Sequence, residues 1–110
     1  MGTNLTYADI LTDVLREECK LQFRTIPHLK KISVCDREAG QFLLLIIGRD
    51  NKKHWNHSIL FHAQLIDGKV IIEVDNTERL SSLLLEAGIH MEDLLAGDEF
   101  EHLETLPLAA

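Results

Sequence analysis

Three histidines lie within nine residues of one another, His54, His57 and His62, and a tight turn brings a carboxylate back towards the last of them. These are the side chains of the chain with the most chemical capacity. They fall in the segment 48–78, GRDNKKHWNHSILFHAQLIDGKVIIEVDNTE. Asn56–Ile66 alternates, with Ile59, Phe61, Ala63 and Leu65 on one side, as a half-buried strand should. Asp67-Gly68 then supplies the residues of a two-residue hairpin turn. Lys69–Val74 follows as the returning strand, with Val70, Ile72 and Val74 on one face. If Asp67-Gly68 is the whole loop, Ile66 pairs with Lys69, and counting back sets His62 opposite Glu73, away from the apolar row. Gln64 then faces Ile71 on the same side, and Ala63 faces Ile72 on the other. Directly opposed side chains sit about 5 Å apart at Cβ.

A carboxylate that fixes an imidazole tautomer could support general base catalysis. The same pair can equally be a cross-strand polar contact beside an interface, and this second reading is adopted. A shared metal is disfavoured by spacing. His57 and His62 are five positions apart, which places them on opposite faces of a regular strand. Paired Cys-x-x-Cys and His-Glu-x-x-His signatures are absent, so no metal and no cofactor is expected. The six glycines are isolated, which excludes a phosphate-cradling loop, and no serine occupies a nucleophile elbow. Cys35 reads as a residue at a strand end rather than as a nucleophile.

Cationic residues gather in the first half: Arg24, Lys30, Lys31, Arg37, Arg49, Lys52 and Lys53. Trp55 stands beside them. Arg49, Lys52, Lys53 and Trp55 are candidates for a protein interface or a nucleic-acid contact, because an exposed tryptophan can anchor either. The charge balance argues against unaided binding to duplex DNA. Residues 1–70 carry +2, and residues 71–110 carry −9, for a net charge of −7. Phosphate neutralisation dominates DNA affinity. An acidic half-chain suits a basic protein partner better.

The elements that would position these groups can be read in order. Thr6 and Asp9 form a capping box ahead of Tyr7, Ile10, Leu11, Val14 and Leu15, an amphipathic helix running to Gln22. Arg24–Lys30, with Pro27, reads as a connection. Lys31–Arg37 is a first strand, with Ile32 and Val34 on one face. Glu38-Ala39-Gly40 is a turn, and Phe42–Ile47 is apolar throughout, as a strand covered on both faces would be. Beyond the hairpin, Asp75-Asn76-Thr77 offers helix caps with Glu78 in the first turn. Leu80, Leu83, Leu84 and Ala87 make the apolar stripe, and Gly88 a C-terminal cap. Met91–Leu95 reads as a short helix, and the chain frays from Pro107.

The expected fold is therefore one α+β domain over residues 1–110: an N-terminal helix, a four-stranded, mainly antiparallel sheet, then two C-terminal helices. A hydrophobic content of 45% and a charged content of 26% are ordinary globular values. The doubly apolar strand points to a homodimer, one sheet face meeting the helices and the other a second subunit. The longest apolar run is too short for a membrane span. No charged-then-apolar leader opens the chain, so a cytosolic location is expected, with Cys19 and Cys35 reduced.

Gly48, Asp50-Asn51, Leu60-Phe61-His62-Ala63, Asp67-Gly68-Lys69, Ile72, Asp75, Thr77-Glu78, Leu84 or Leu85, and Gly88-Ile89 together resemble the XisI-like family of cyanobacterial fdxN element excision controlling factors. With the leading helix, the likeness spans nearly the whole chain. Arg49 and Ile71 stand where the family pattern has tryptophans. The acidic stretch from Asp98 through Glu99, Phe100, Glu101, His102 and Leu103 to Glu104 replaces a Pro- and Arg-containing region. The resemblance implies a non-catalytic accessory factor in programmed DNA rearrangement, acting through protein–protein contacts with an excision or nuclease-like (XisH-like) partner. Two other readings remain open. One is a direct DNA-binding module using the basic residues from Arg24 to Lys53; the other is a small hydrolase or metal-dependent enzyme centred on His62 and Glu73.

Overall fold

The computed structural model describes residues 6–21, 28–77 and 79–100. Helix α1 (Tyr7–Cys19) begins with the expected capping box, Thr6 accepting from the Asp9 backbone and Asp9 from that of Thr6. The end expected at Gln22, the connection from Arg24 to Pro27 and the first-turn residue Glu78 lie outside the described residues. Four antiparallel strands follow: β1 (Leu29–Asp36), β2 (Gln41–Arg49), β3 (Trp55–Ile66) and β4 (Lys69–Asp75). Helix α2 (Leu80–Ala87) then leads to a short 3₁₀ turn (Met91–Asp93) and β5 (Leu94–Ala96).

The strands form one sheet in the order β1-β2-β3-β4-β5. The fold class is the α+β arrangement expected, with one addition. β5 pairs in parallel with β4, Ile71 facing Leu95. The helix expected over Met91–Leu95 is thus only a 3₁₀ turn, because Leu94 and Leu95 gain more by closing the edge of β4 than by another turn of helix.

Both helices lie on one face of the sheet. The core there joins Ile10, Leu11 and Leu15 of α1 to Phe42 and Leu44 of β2, Phe61 and Ala63 of β3, Val70 of β4, and Leu80 and Leu84 of α2. Each of these large side chains contributes about 1.5–3 kcal/mol on full burial. The other face carries neither α1 nor α2; the helical residues 97–100 begin at its β4 edge, where Gly97 approaches Glu73. Alternation places Ile32 and Val34 of β1, Leu43, Leu45 and Ile47 of β2, and Ile59 of β3 there, paired in register. Val34 and Ile59 remain 43% and 42% exposed.

Two bulges set this division. Leu44 faces Phe61 but Leu45 faces Ile59, so Leu60 is an extra residue in β3. Its carbonyl accepts from the Asn76 backbone at 2.9 Å. Ile59, expected beside Phe61 in the core, is turned by this bulge to the uncovered face. The second bulge lies in β4 and makes Glu73 the extra residue, which moves Val74 off the face of Val70 and Ile72.

A buried ion cluster fixes the helices to the sheet. Glu18 of α1, its side chain only 4% exposed, accepts from Lys31 of β1 at 3.2 Å and from Arg79 just before α2. Removing both cations would strand a buried carboxylate, a cost of about 3–5 kcal/mol, whereas removing one leaves the other in place. Asp75 and Thr77, expected as caps, accept bonds from the first turn of α2, although the N-cap position itself is Arg79, which makes no side-chain cap bond. Asp75 Oδ2 accepts from the Ser81 backbone and hydroxyl, and Thr77 Oγ1 from the Leu80 backbone at 3.0 Å.

Burial pushes the Asp75 carboxyl up, but hydrogen bonds from Thr77 and Ser81 together outweigh it and hold the group below its ordinary value. The stabilisation from these bonds is therefore complete above the ordinary carboxylate range and is lost as pH falls through the folded-state value. Thermal melts of Asp75→Ala should show a loss of about 1 kcal/mol at neutral pH. The difference from the parent chain should shrink at acid pH, and an undiminished difference there would contradict the capping role.

Candidate functional site

The hairpin register is as expected at its turn. Ile66 pairs with Lys69, Leu65 with Val70, Gln64 with Ile71 and Ala63 with Ile72. Asp67 and Gly68 form the loop with φ of 49° and 78°. The register fails one step later, because the Glu73 bulge leaves Val74, not Glu73, opposite His62. The direct pair expected between His62 and Glu73 is therefore corrected.

The two residues are joined instead by a chain of amides. His62 Nε2 lies 2.7 Å from Gln41 Oε1. Gln41 Nε2 donates to Gln64 Oε1 at 3.0 Å, and Gln64 Nε2 donates to Glu73 Oε2 at 2.7 Å. Since the amide nitrogen of Gln41 is committed to Gln64, its oxygen faces the histidine, and His62 Nε2 must be the donor. Every bond then points towards the carboxylate. Gly97 completes the surroundings of Glu73, since a Cβ there would lie 2.3 Å from Glu73 Oε1.

This arrangement orients the His62 ring and sets two amides between it and the Glu73 carboxylate. What it does well is satisfy four polar side chains along one end of the uncovered face. Glutamines at 41 and 64 gave no signal in the sequence beyond their alternation, and only the register across β2, β3 and β4 reveals their part.

The other histidines do not converge on His62. His57 faces Ile47 on the neighbouring strand, and His54 sits in the loop with Nδ1 4.0 Å from Asp50 Oδ2. Among the described residues no three His, Cys, Asp or Glu side chains gather as metal ligands would. Burial raises both thiols, Cys19 and Cys35, above the ordinary range, which keeps them protonated and poorly nucleophilic.

The basic candidates divide. Lys31 is held by Glu18, and Arg37 donates to Asp9 at 2.6 Å, so neither joins a patch. Arg24 lies outside the described residues. Arg49 pairs across the strands with Trp55, its guanidinium 5.6 Å from the ring centroid, and with Lys30 and Lys53 they line one cleft. Lys52 stays exposed on the loop beside it. Asp98 and Glu99, in the acidic tail, are exposed as well; Glu101 lies outside the described residues. No helix among the described residues is long and apolar enough to cross a membrane.

Comparison with known proteins places this geometry. The family model described as "XisI protein" matches residues 1–106. The fdxN element excision controlling factor XisI from Anabaena variabilis is similar at 25% identity and a TM-score of 0.67, over 83% of this chain and 82% of that one. A XisI-like protein from the same organism shares the fold at 17% identity and a TM-score of 0.70, over 83% of each chain. A search of curated proteins finds no match.

The amide chain has a direct spectroscopic consequence. Nitrogen-15 correlation spectra at a pH where His62 is neutral should show the Nε2–H tautomer, and Gln41→Ala should allow the Nδ1–H form to appear. An Nδ1–H tautomer in the unaltered chain would mean that the bonds do not run from His62 towards Glu73.

Proposed function

We propose that this chain, which belongs to the XisI family, is a non-catalytic accessory factor in programmed DNA rearrangement. It works as a homodimer that engages a basic, nuclease-like protein of the XisH-like kind. The similar Anabaena protein is named as an excision controlling factor, and that role is carried over here as a proposal. The observation that carries the reading is the apolar row on the uncovered sheet face, Ile32, Val34, Leu43, Leu45, Ile47 and Ile59. Exposed apolar surface of this kind marks a contact site.

A second copy is the natural occupant, because a two-fold axis sets an apolar row against itself without requiring complementary charge. Covering Val34 and Ile59 alone contributes about 1 kcal/mol for each in each subunit. The acidic second half of the chain, with Asp98 and Glu99 exposed, supports docking of a basic partner. The separation of His62 from Glu73 by two amides supports a role without chemistry.

Light scattering of the purified chain should return twice the monomer mass of 12.5 kDa. Ile59→Asp, at a residue already 42% exposed, should return the monomer mass with an unchanged circular dichroism spectrum. Charge reversal at Asp98 and Glu99 should weaken co-purification with an XisH-like partner. A monomeric parent chain would remove the dimer. Nuclease activity of the chain alone, lost in His62→Ala, would overturn the accessory role.

A further inference from the structure

The loop end of the β2–β3 hairpin carries a cleft that adjoins the apolar row at Ile47 and extends beyond it to the cationic end of the sheet. It has a volume of about 760 Å³, and its lining includes His28, Lys30, Gly48, Arg49, Lys53 and Trp55. The chain as a whole has a net charge of −7, yet three of these side chains, Lys30, Arg49 and Lys53, are cations. The carboxylate at the cleft, Asp50, is already engaged. Its Oδ1 accepts from the backbone N–H groups of Lys52 and His54, both at 2.9 Å. The bond to His54 and its companions hold this carboxyl below its ordinary range, so it stays an anion tied to the loop.

The concavity follows from the sequence. Gly48 has φ of 144°, and a Cβ there would lie 2.2 Å from the His28 carbonyl oxygen. A glycine allows the start of β1 to close onto the end of β2, which brings His28 and Lys30 beside Arg49 and Trp55. Arg49 also donates to the Lys53 carbonyl at 3.1 Å, fixing the loop while its guanidinium lies over the indole. Trp55 nevertheless remains 54% exposed. A large aromatic surface kept open beside several cations is an arrangement for a planar, anionic ligand.

We infer that this cleft binds single-stranded nucleic acid, one unpaired base stacking on Trp55 while Lys30, Lys53 and Arg49 meet the adjoining phosphates. Stacking requires a base whose face is free, which a duplex withholds. A duplex would also lay many phosphates along an acidic chain, whereas a flexible strand can reach a short basic cleft and leave again. The inference goes beyond the accessory role and does not rest on it.

Trp55 is the only tryptophan of the chain, so its fluorescence reports on this cleft alone. The full chain is titrated at low salt with a short oligothymidylate, with a blunt duplex of equal length, and with inorganic polyphosphate. The single strand should quench Trp55 and bind more tightly than the other two. Lys30→Ala and Lys53→Ala should each weaken it severalfold, and the log–log salt slope should fall by about 0.7 with each cation removed. Trp55→Ala, followed by anisotropy of a labelled strand, should cost roughly tenfold, with Trp55→Phe recovering most of the loss. Absence of quenching, equal affinity for the duplex or polyphosphate, or full affinity in Trp55→Ala would each overturn the inference.

Discussion

Among the described residues, α1 and α2 lie on one face of a five-stranded sheet and neither lies on the other. That other face is covered beside β4, where Ile71 is fully buried and Gly97 approaches Glu73. The rest of the molecule follows from that one-sided arrangement. A sheet stabilises a domain by burying a face, and here one face takes the contiguous core, from Ile10 to Ile89. The helices must then be held firmly, because they have no second layer to brace them. The buried Glu18 carboxylate does this by joining α1 to Lys31 in β1 and to Arg79 at the start of α2. An ion cluster so enclosed is costly to break, and it fixes the position of the helices more than it adds to stability.

The uncovered face divides into three regions along the strands. One end is polar and self-satisfied, through His62, Gln41, Gln64 and Glu73. The middle is apolar, with Leu43 and Leu45 flanked by Val34 and Ile59. The other end is cationic and aromatic around Arg49 and Trp55. The bulge at Leu60 contributes to this pattern by turning Ile59 outward, and the bulge at Glu73 by giving that carboxylate to Gln64 instead of His62. Bulges re-aim side chains in this way wherever a ladder must depart from strict alternation.

Much of this was legible in the sequence. The capping box at Thr6, the Asp67-Gly68 turn, the caps at Asp75 and Thr77, and the order of helix and four strands follow from local chemistry that no tertiary contact overrides. The apolar run Phe42–Ile47 pointed to a strand covered on both faces; β2 is central to the sheet, with Phe42 and Leu44 buried and Leu43, Leu45 and Ile47 only half-buried. The bulges were not legible, since an extra residue leaves no mark on an alternating pattern and depends on the partner strand. Each one displaced a side-chain assignment, Ile59 in one case and Val74 with the His62–Glu73 pair in the other. β5 was missed for a related reason: Leu94 and Leu95 form a strand only because the edge of β4 is there to receive them. The cleft at Trp55 needed the approach of His28 to Gly48, which residues 20 positions apart do not advertise.

The central claim is that the uncovered apolar face belongs against a second copy of the chain. Its most direct test is the accessibility of the Val34, Ile59, Leu43 and Leu45 methyl groups to a soluble paramagnetic agent, followed by NMR as protein concentration is raised. The account predicts that relaxation of these methyls falls with concentration as the faces meet, while methyls elsewhere on the surface, such as that of Met91, keep their relaxation. If these methyl groups stay accessible throughout the soluble range, the face is not a self-association surface and the account is contradicted.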